Sequence, residues 1–223
     1  MEFSKWIPSY FGVVSERSSA GQDLVFLKQQ EDILRPWLRE GMRLLDVGCA
    51  TGYAYYNYAK YGVDYYGIDI VSDYIEEGRK HLSRHGLSPD HLQVSDLYDF
   101  SSRADRYDLV VCNTVFQHLD KPGAAVAALS SLTKTVLLCR TITGDRDIIR
   151  KTKCYQDTTL PWDESLQSET GVSFNVYSKD GLADKLRSYF PAVEIIAHLY
   201  TTQKPVSLFA NEYYSHSIYK CVR

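Results

Sequence analysis

Three carboxylates lie at the ends of apolar segments, next to two closely spaced glycines. Asp46 precedes Gly48 and Gly52 at the end of the first apolar run. Asp69 ends a second run, and Asp96 follows a third. An acid at the tip of the second strand of an α/β unit is placed to accept hydrogen bonds from both ribose hydroxyls. The pattern therefore predicts a pocket for an adenosine-bearing cofactor.

A strand-to-helix junction positions these glycines. The apolar run 43–47 is typical of a strand that is covered on both faces of a parallel sheet. The segment 53–61 has the pattern of a helix that is closed by Gly62. Glycine favours a sharp turn at which a ligand comes close to bare backbone. We therefore expect a side chain at Gly48 to occupy ligand space.

The spacing of the glycines bears on the identity of the cofactor. A dinucleotide fold requires G-x-G-x-x-G, with the pyrophosphate on the helix N-terminus. Here Ala50 and Tyr53 stand at the second and third glycine positions. The close backbone approach and the tight helix–sheet packing that those glycines allow are therefore lost. This weakens a nicotinamide dinucleotide interpretation, which stays as an alternative.

The segment 46–52, Asp-Val-Gly-Cys-Ala-Thr-Gly, resembles the first motif of the class I S-adenosylmethionine-dependent methyltransferases, D-x-G-x-G-x-G. Ala50 stands at the middle glycine, where one methyl group narrows the turn without filling it. The resemblance implies S-adenosyl-L-methionine as the cofactor, with Asp69 at the ribose and Asp96 beside the exocyclic amine of the adenine.

Two further segments extend this resemblance over roughly residues 40–140. In the family pattern, the backbone amide of Leu97 meets a ring nitrogen of the adenine. Asn113, at the tip of the fourth predicted strand, takes the place of a residue that contacts the methionyl part of the cofactor. The cofactor-binding residues predicted in this way are Asp46, Gly48, Ala50, Gly52, Asp69, Ile70, Asp96, Leu97 and Asn113.

His118 is the leading candidate for a catalytic base. It lies just beyond the fourth strand, in a stretch that resembles the family's hxxxxHL segment. A hydroxyl acceptor has to lose a proton, and a group with a pKa near neutrality removes it best. A structural histidine that closes the turn is the competing interpretation. Weaker candidates are Tyr10, Tyr155 and His216.

The alternation of strands and helices predicts one α/β domain. We expect a Rossmann-like, doubly wound, seven-stranded, mostly parallel sheet with an antiparallel last strand, plus an N-terminal helical lid. The lid is residues 1–40, with a helix near 20–38, and the methyltransferase domain is residues 41–223. The fifth strand is predicted at 134–140. The polar insertion 141–175 is expected to cap the substrate, because long loops in compact domains are usually functional or mobile.

Composition excludes several classes of protein. The 223 residues are 44% hydrophobic and 24% charged, as in ordinary globular proteins. The net charge of -3 and the lack of a large basic cluster make a nucleic-acid partner unlikely. No apolar stretch approaches the roughly 20 residues of a spanning helix, and the N-terminus lacks a secretory pattern. We expect a cytoplasmic protein with no membrane partner, and the oligomeric state stays open.

Cysteine and histidine spacing predicts no metal site. The five cysteines are odd in number and contain no C-x-x-C pair, so we expect all of them to be reduced. His81 and His85 form the one helix-spaced histidine pair, and a solvated surface is the preferred interpretation of it.

These observations predict methyl transfer from S-adenosylmethionine to a small-molecule acceptor, with a hydroxyl oxygen as the first hypothesis. The Asn/Asp-Pro-Pro-Tyr/Phe motif of many nitrogen methylases is absent after the fourth strand, where the chain has Asn-Thr-Val-Phe at 113–116. N- and C-methylation stay unresolved. The alternatives are an NAD(P)-dependent oxidoreductase on the same topology and a non-catalytic cofactor-binding or interaction protein. A tRNA or protein methylase is a variant of the first hypothesis.

Overall fold

The computed structural model describes residues 25–152, 171–197, 206–209 and 212–223. The strands are β1 (Arg43–Val47), β2 (Asp64–Asp69), β3 (Leu92–Val94), β4 (Tyr107–Asn113), β5 (Thr133–Gly144), β6 (Lys151–Thr152), β7 (Val172–Ser173), β8 (Tyr177–Ser178), β9 (Ala192–Ala197), β10 (Val206–Phe209) and β11 (Glu212–Val222). The helices are α1 (Val25–Leu34), α2 (Tyr55–Tyr58), α3 (Ser72–Leu82), α4 (Leu97–Arg103), α5 (Pro122–Leu132) and α6 (Lys179–Arg187).

The main sheet is a mixed sheet in which β3, β2, β1, β4 and β5 run parallel in that order. β11 joins β5 antiparallel, and β9 and β10 pair with β11. The predicted mostly parallel sheet with an antiparallel last strand is confirmed. The sheet contains two strands besides the seven that were predicted. These are β8 and β10, which are too short to show a pattern in the sequence.

Helices cover both faces of the sheet. Consecutive strand residues point to opposite sides, so neighbouring residues of one strand pack against different helices. Leu44 packs in a cluster that includes Leu27 and Leu34 of α1. Leu45, the next residue, packs in a second cluster with side chains of α4, α5 and α6. Both leucines are fully buried. The near-continuous apolar run of β1 is therefore explained by burial on both faces, as in other doubly wound folds.

Two predicted boundaries were wrong. The helix expected near 20–38 ends at Leu34, because Pro36 disfavours helical backbone at the residue before it. The part of that prediction before residue 25 lies outside the described residues. β5 continues to Gly144 instead of ending at Arg140. Thr141, Ile142 and Thr143 are all buried and β-branched, which suits an extended strand.

Four of the five cysteines lie in the described part of the chain, and all four are buried without a disulfide. Cys154 lies outside it. No helix among the described residues is both long enough and apolar enough to cross a bilayer.

Candidate active site at the carboxyl edge of the sheet

Gly48 begins the turn that follows β1. Its backbone has a φ of 72°, a left-handed value that glycine adopts without steric cost. The N–H groups of Gly48 and Cys49 both donate to the carbonyl oxygen of Ile68, at 2.8 and 3.0 Å. A Cβ on Gly48 would lie 2.0 Å from Cγ2 of Val115. A side chain here would therefore collide with Val115, which lines the cavity together with Gly48, and the expectation that it would occupy ligand space stays a prediction.

Strained backbone marks the same region. In the described part of the chain, Ala50 and Thr114 are the non-glycine residues with positive φ, at 51° and 57°. Both line the main cavity. Residues in sparsely populated backbone regions cost about 1–3 kcal/mol each and cluster at functional sites. Ala50 stands where the motif has its middle glycine, and its backbone keeps the glycine conformation.

Gly52 supports packing within the protein. Its φ is 70°. A Cβ on Gly52 would lie 2.9 Å from Cδ1 of Leu82 and 3.2 Å from Cδ2 of Leu92. This glycine therefore allows the turn to approach α3 and β3 closely, and it does not line the main cavity.

Asp69 connects the tip of β2 to the glycine turn. Oδ2 accepts a hydrogen bond from the N–H of Ala50, and Oδ1 accepts one from the N–H of Val71, both at 2.9 Å. Burial raises the pKa of Asp69, and the backbone hydrogen bonds oppose that rise. A carboxylate has about four acceptor sites, so Asp69 keeps acceptor capacity beyond the backbone N–H groups of Ala50, Val71 and Ile70. Asp69 and the half-exposed Ile70 both line the cavity.

Asp96 caps the N-terminus of α4. Its Oδ1 accepts hydrogen bonds from the N–H groups of Tyr98 and Asp99, at 2.8 and 3.0 Å. The side chain is therefore fixed by the helix cap while it lines the cavity. Leu97, the first residue of α4, lines the same cavity.

Asp46 lies behind the turn, away from the main cavity. It is 4% exposed and accepts a hydrogen bond from the hydroxyl of Tyr65 at 2.7 Å. Burial raises the pKa of Asp46 to about 7, Tyr65 lowers it, and the charge of Asp69 raises it further. Asp46 and Gly52 are thus the two predicted cofactor residues that the structure does not bring to the cavity wall.

His118 lies in the turn after β4 and lines the cavity. Its Nδ1 is 3.0 Å from the carbonyl oxygen of Ser173 in β7. Because a carbonyl oxygen can only accept, Nδ1 carries the proton, and Nε2 of the neutral ring is the basic nitrogen. Burial lowers the pKa of His118, and the hydrogen bond to Ser173 opposes that change. The ring packs edge-on against Phe174, with centroids 5.6 Å apart.

One cavity of about 550 Å³ brings most of the predicted residues together. This volume is in the range of about 300–1,000 Å³ that is typical of ligand sites. The predicted residues on its wall are Gly48, Ala50, Asp69, Ile70, Asp96, Leu97, Asn113, His118 and His216. Tyr10 and Tyr155 lie outside the described residues.

Sequence reasoning missed part of the cavity wall. Arg140 from β5, Lys151 from β6 and Phe26 from α1 also line it. Arg140 ends the strand predicted at 134–140, and open α/β sheets bind ligands at the carboxyl ends of their strands, so this position was a signal that could have found it. Among the described residues, no group of three or more His, Cys, Asp or Glu is arranged to hold a metal ion.

Comparisons with known proteins agree with this geometry. A family model described as a methyltransferase domain matches residues 25–189. A ubiquinone biosynthesis O-methyltransferase from Actinobacillus pleuropneumoniae serotype 5b (strain L20) is 30% identical over 99 residues, which cover 42% of each protein. The chain thus spans less than half of the length of this relative.

Solved structures share the fold. The N-terminal domain of EvdMO1, crystallised in the presence of SAH and D-fucose, has a TM-score of 0.66 at 13% identity, covering 91% of this chain and 85% of that one. Magnesium protoporphyrin IX methyltransferase from Synechocystis PCC 6803, with bound SAM, has a TM-score of 0.57 at 16% identity, covering 98% and 94%. The fold, the glycine turn and the match to the family model show that this chain belongs to the class I S-adenosylmethionine-dependent methyltransferase family.

Proposed function

We propose that this chain transfers a methyl group from S-adenosylmethionine to a hydroxyl oxygen of a small organic acceptor. The observation that carries the proposal is the single cavity that Asp69, Asp96 and His118 line together. A site that binds a nucleoside through the two carboxylates would hold its reacting end close to β4, where His118 and Asn113 lie.

The residues of the cavity fit this cofactor. The turn at Gly48 and Ala50 presents left-handed backbone at the tip of β1, where side chains are small. Asp69 keeps acceptor capacity for ribose hydroxyls, and the N–H of Leu97 is the first of α4, a position at which helix N–H groups have no partner within the helix. When bound, S-adenosylmethionine supplies a methyl group on a positively charged sulfur. Asn113, at the tip of β4, would contact its methionyl part.

His118 would remove the proton of the acceptor hydroxyl. Its lowered pKa keeps the ring neutral at pH 7, and the hydrogen bond from Nδ1 to Ser173 leaves Nε2 as the nitrogen that takes up a proton. General bases of this kind contribute typically about 10²–10⁴-fold to a rate. Holding the two reactants in line would contribute on the order of 7–11 kcal/mol. Positioning is therefore the larger effect.

Two observations support an oxygen acceptor. The curated relative is named as an O-methyltransferase. In addition, Thr114 follows Asn113 with a φ of 57°, which proline cannot adopt because its ring fixes φ near -65°. The turn after β4 therefore differs in backbone shape from one that carries the Pro-Pro pair of many nitrogen methylases.

Residues from the segments proposed as lid and cap line the cavity. Phe26 of α1 lines the cavity, in agreement with the proposed lid at 1–40. Lys151, Val172 and Ser173 line it from β6 and β7, which pair with each other within the proposed cap at 141–175. We propose that these two segments set the choice of acceptor.

The test is product formation. The purified chain is incubated with S-adenosylmethionine and separate panels of phenols, sugars and amines, and S-adenosylhomocysteine is measured by mass spectrometry. Methylation of a hydroxyl compound supports the proposal. Turnover with amines alone would move the assignment to nitrogen, and cofactor binding without turnover on any panel would favour the non-catalytic alternative.

A further inference from the structure

The cavity has a cationic wall on the side of β5 and β11. Arg140 of β5 and Lys151 of β6 supply the positive charge of this wall, and His216 of β11 lines the same side of the cavity. The acids of the wall are Asp69 and Asp96, at the tips of β2 and β3, and Asp120, beyond the turn after β4. Because β4 and β1 lie between β5 and β2 in the sheet, Arg140 is separated from Asp69 and Asp96 across the cavity.

Sheet register places Arg140, Asn113 and His216 on one face of the main sheet. Arg140 is paired with Asn113 across β4 and β5, so both side chains point to the same side. Ile142, two residues after Arg140, is paired with His216 on β11. His216 therefore points to the same side as Arg140. This side is also the one that α1 covers with Phe26.

The Arg140 side chain is held in a buried position. It is 8% exposed, and its Nη1 lies 3.4 Å from Oδ1 of Asn113. Its guanidinium carbon lies 5.3 Å from the centre of the Phe26 ring. A guanidinium presents five donors in a planar fork that matches a carboxylate. Such a pair is stronger in a cavity than in water because the surroundings screen charge less.

We propose that the acceptor carries a carboxylate and that Arg140 binds it, with Lys151 at the exposed rim adding positive charge. This inference rests on the proposed methyl transfer, because the cationic wall adjoins the part of the cavity assigned to the acceptor. Arg140 lies one strand beyond Asn113, the residue assigned to the methionyl part of the cofactor. Because Arg140 also contacts Asn113, the experiment has to separate an acceptor carboxylate from the carboxylate of the cofactor itself.

The experiment uses a matched pair of probes, 3-hydroxybenzoate and 3-hydroxybenzamide, which have similar shape and differ in charge. Each is titrated calorimetrically into the full chain saturated with S-adenosylhomocysteine. We expect the carboxylate to bind at least ten-fold more tightly than the amide. Equal affinities of the two probes would overturn the proposal.

Variants then assign the effect to the residue. Arg140→Gln should remove the preference for the carboxylate and leave the affinity for S-adenosylhomocysteine within about two-fold. Lys151→Gln should reduce the preference, and it is the informative variant if Arg140→Gln does not fold. Lys134→Gln is the matched control, because Lys134 lies near the start of β5, at the end of the strand away from the cavity. Its side chain is half-exposed, and its Nζ lies 3.7 Å from Oδ1 of Asp108. It should keep the full preference.

The outcomes separate the two proposals. A chain that does not bind S-adenosylhomocysteine contradicts the proposed function before any probe is added. A chain that binds it but shows no carboxylate preference contradicts only this inference. If Arg140→Gln weakens S-adenosylhomocysteine ten-fold or more, Arg140 belongs to the cofactor site and the inference is overturned.

Discussion

Nδ1 of His118 lies 3.0 Å from the carbonyl oxygen of Ser173, a residue 55 positions further along the chain. The same two segments are joined twice more. The backbone N–H of Asn175 donates to the carbonyl oxygen of Gln117, and its side-chain Nδ2 donates to that of Leu119, both at 2.8 Å. Three hydrogen bonds therefore hold the turn after β4 against the C-terminal part of the 141–175 segment. His118 makes one of these bonds and also lines the cavity.

A pair of variants separates these two roles. The side-chain nitrogen of Asn occupies roughly the position of Nδ1, so His118→Asn keeps a donor for Ser173 and removes Nε2. We expect His118→Asn to bind S-adenosylhomocysteine like the parent and to lower kcat by about 10²–10⁴-fold. His118→Ala should lose about 1 kcal/mol of stability in addition, because the hydrogen bond is lost. Parental kcat in His118→Asn would remove His118 from proton transfer.

The rate should depend on pH through the same residue. Because burial lowers the pKa of His118, the neutral ring persists below the usual pKa of about 6.5. We expect kcat to be constant near pH 7 and to fall only as the pH drops through this lowered pKa. Stability should change in the same direction, because the unfolded chain takes up a proton first as the pH falls below about 6.5. A kcat profile whose midpoint lies above 6.5 would contradict this assignment.

The ribose assignment predicts a loss of affinity in Asp69→Asn. The substitution keeps the shape of the side chain and removes its charge, and its NH2 group, which cannot accept, replaces the oxygen that faces the N–H of Ala50 or of Val71. We expect S-adenosylhomocysteine to bind more weakly by about 1.5–3 kcal/mol. Asp99→Asn serves as the control, because Asp99 is an exposed acid in the first turn of α4. Equal dissociation constants for Asp69→Asn and the control would count against the ribose role.

Asp46 predicts an unusual pH dependence of stability. Its pKa of about 7 in the folded chain exceeds the unfolded value of about 3.9. Between these values the unfolded chain gives up the proton first, so the contribution of Asp46 to stability decreases as the pH rises from about 4 to about 7 and is constant above that. Asp46→Asn cannot titrate and keeps an oxygen for Tyr65. Its stability relative to the parent should therefore rise by up to about 4 kcal/mol between pH 4 and pH 8.

Urea unfolding at several pH values measures this difference. The control is again Asp99→Asn, which removes an exposed carboxylate from the first turn of α4. A constant difference between Asp46→Asn and the parent would show that Asp46 ionises normally in the folded chain.

Two substitutions, at Gly48 and Ala50, test the turn after β1, and a third, at Gly123 in α5, is the control. Gly48→Ala should destabilise by roughly 2–5 kcal/mol, from left-handed backbone strain and the collision with Val115. Ala50→Gly should stay within about 1 kcal/mol of the parent, because relief of strain is offset by the entropy of glycine. Gly123→Ala, where no atom lies within 4 Å of the new methyl group, should be neutral or slightly stabilising. Parental stability of Gly48→Ala would contradict the described packing.

Local patterns explain why the fold could be predicted. The strand ending at Val47, the turn at Gly48 and the cap at Gly62 are each encoded by neighbours in the sequence, and the parallel order follows from repeated strand–helix alternation. The position of Asp46 could not be predicted in this way. Its side chain points to the face that Tyr65 covers, and only the register of β1 with β2 reveals that.

The acceptor side of the cavity depends on distant parts of the chain. Arg140, Lys151 and His216 come together only because β11 returns antiparallel beside β5 and because β6 pairs with β7. No local pattern shows this meeting. The cofactor side, in contrast, is built from consecutive strand tips, and the sequence predicts most of it.

Isothermal titration of the purified chain with S-adenosylmethionine, S-adenosylhomocysteine and NADH shows which cofactor the cavity binds. We expect saturable binding of the first two at one site, weakened in Asp69→Asn, and no binding of NADH. Binding of NADH without binding of either sulfur compound would contradict this expectation and favour an oxidoreductase on the same fold.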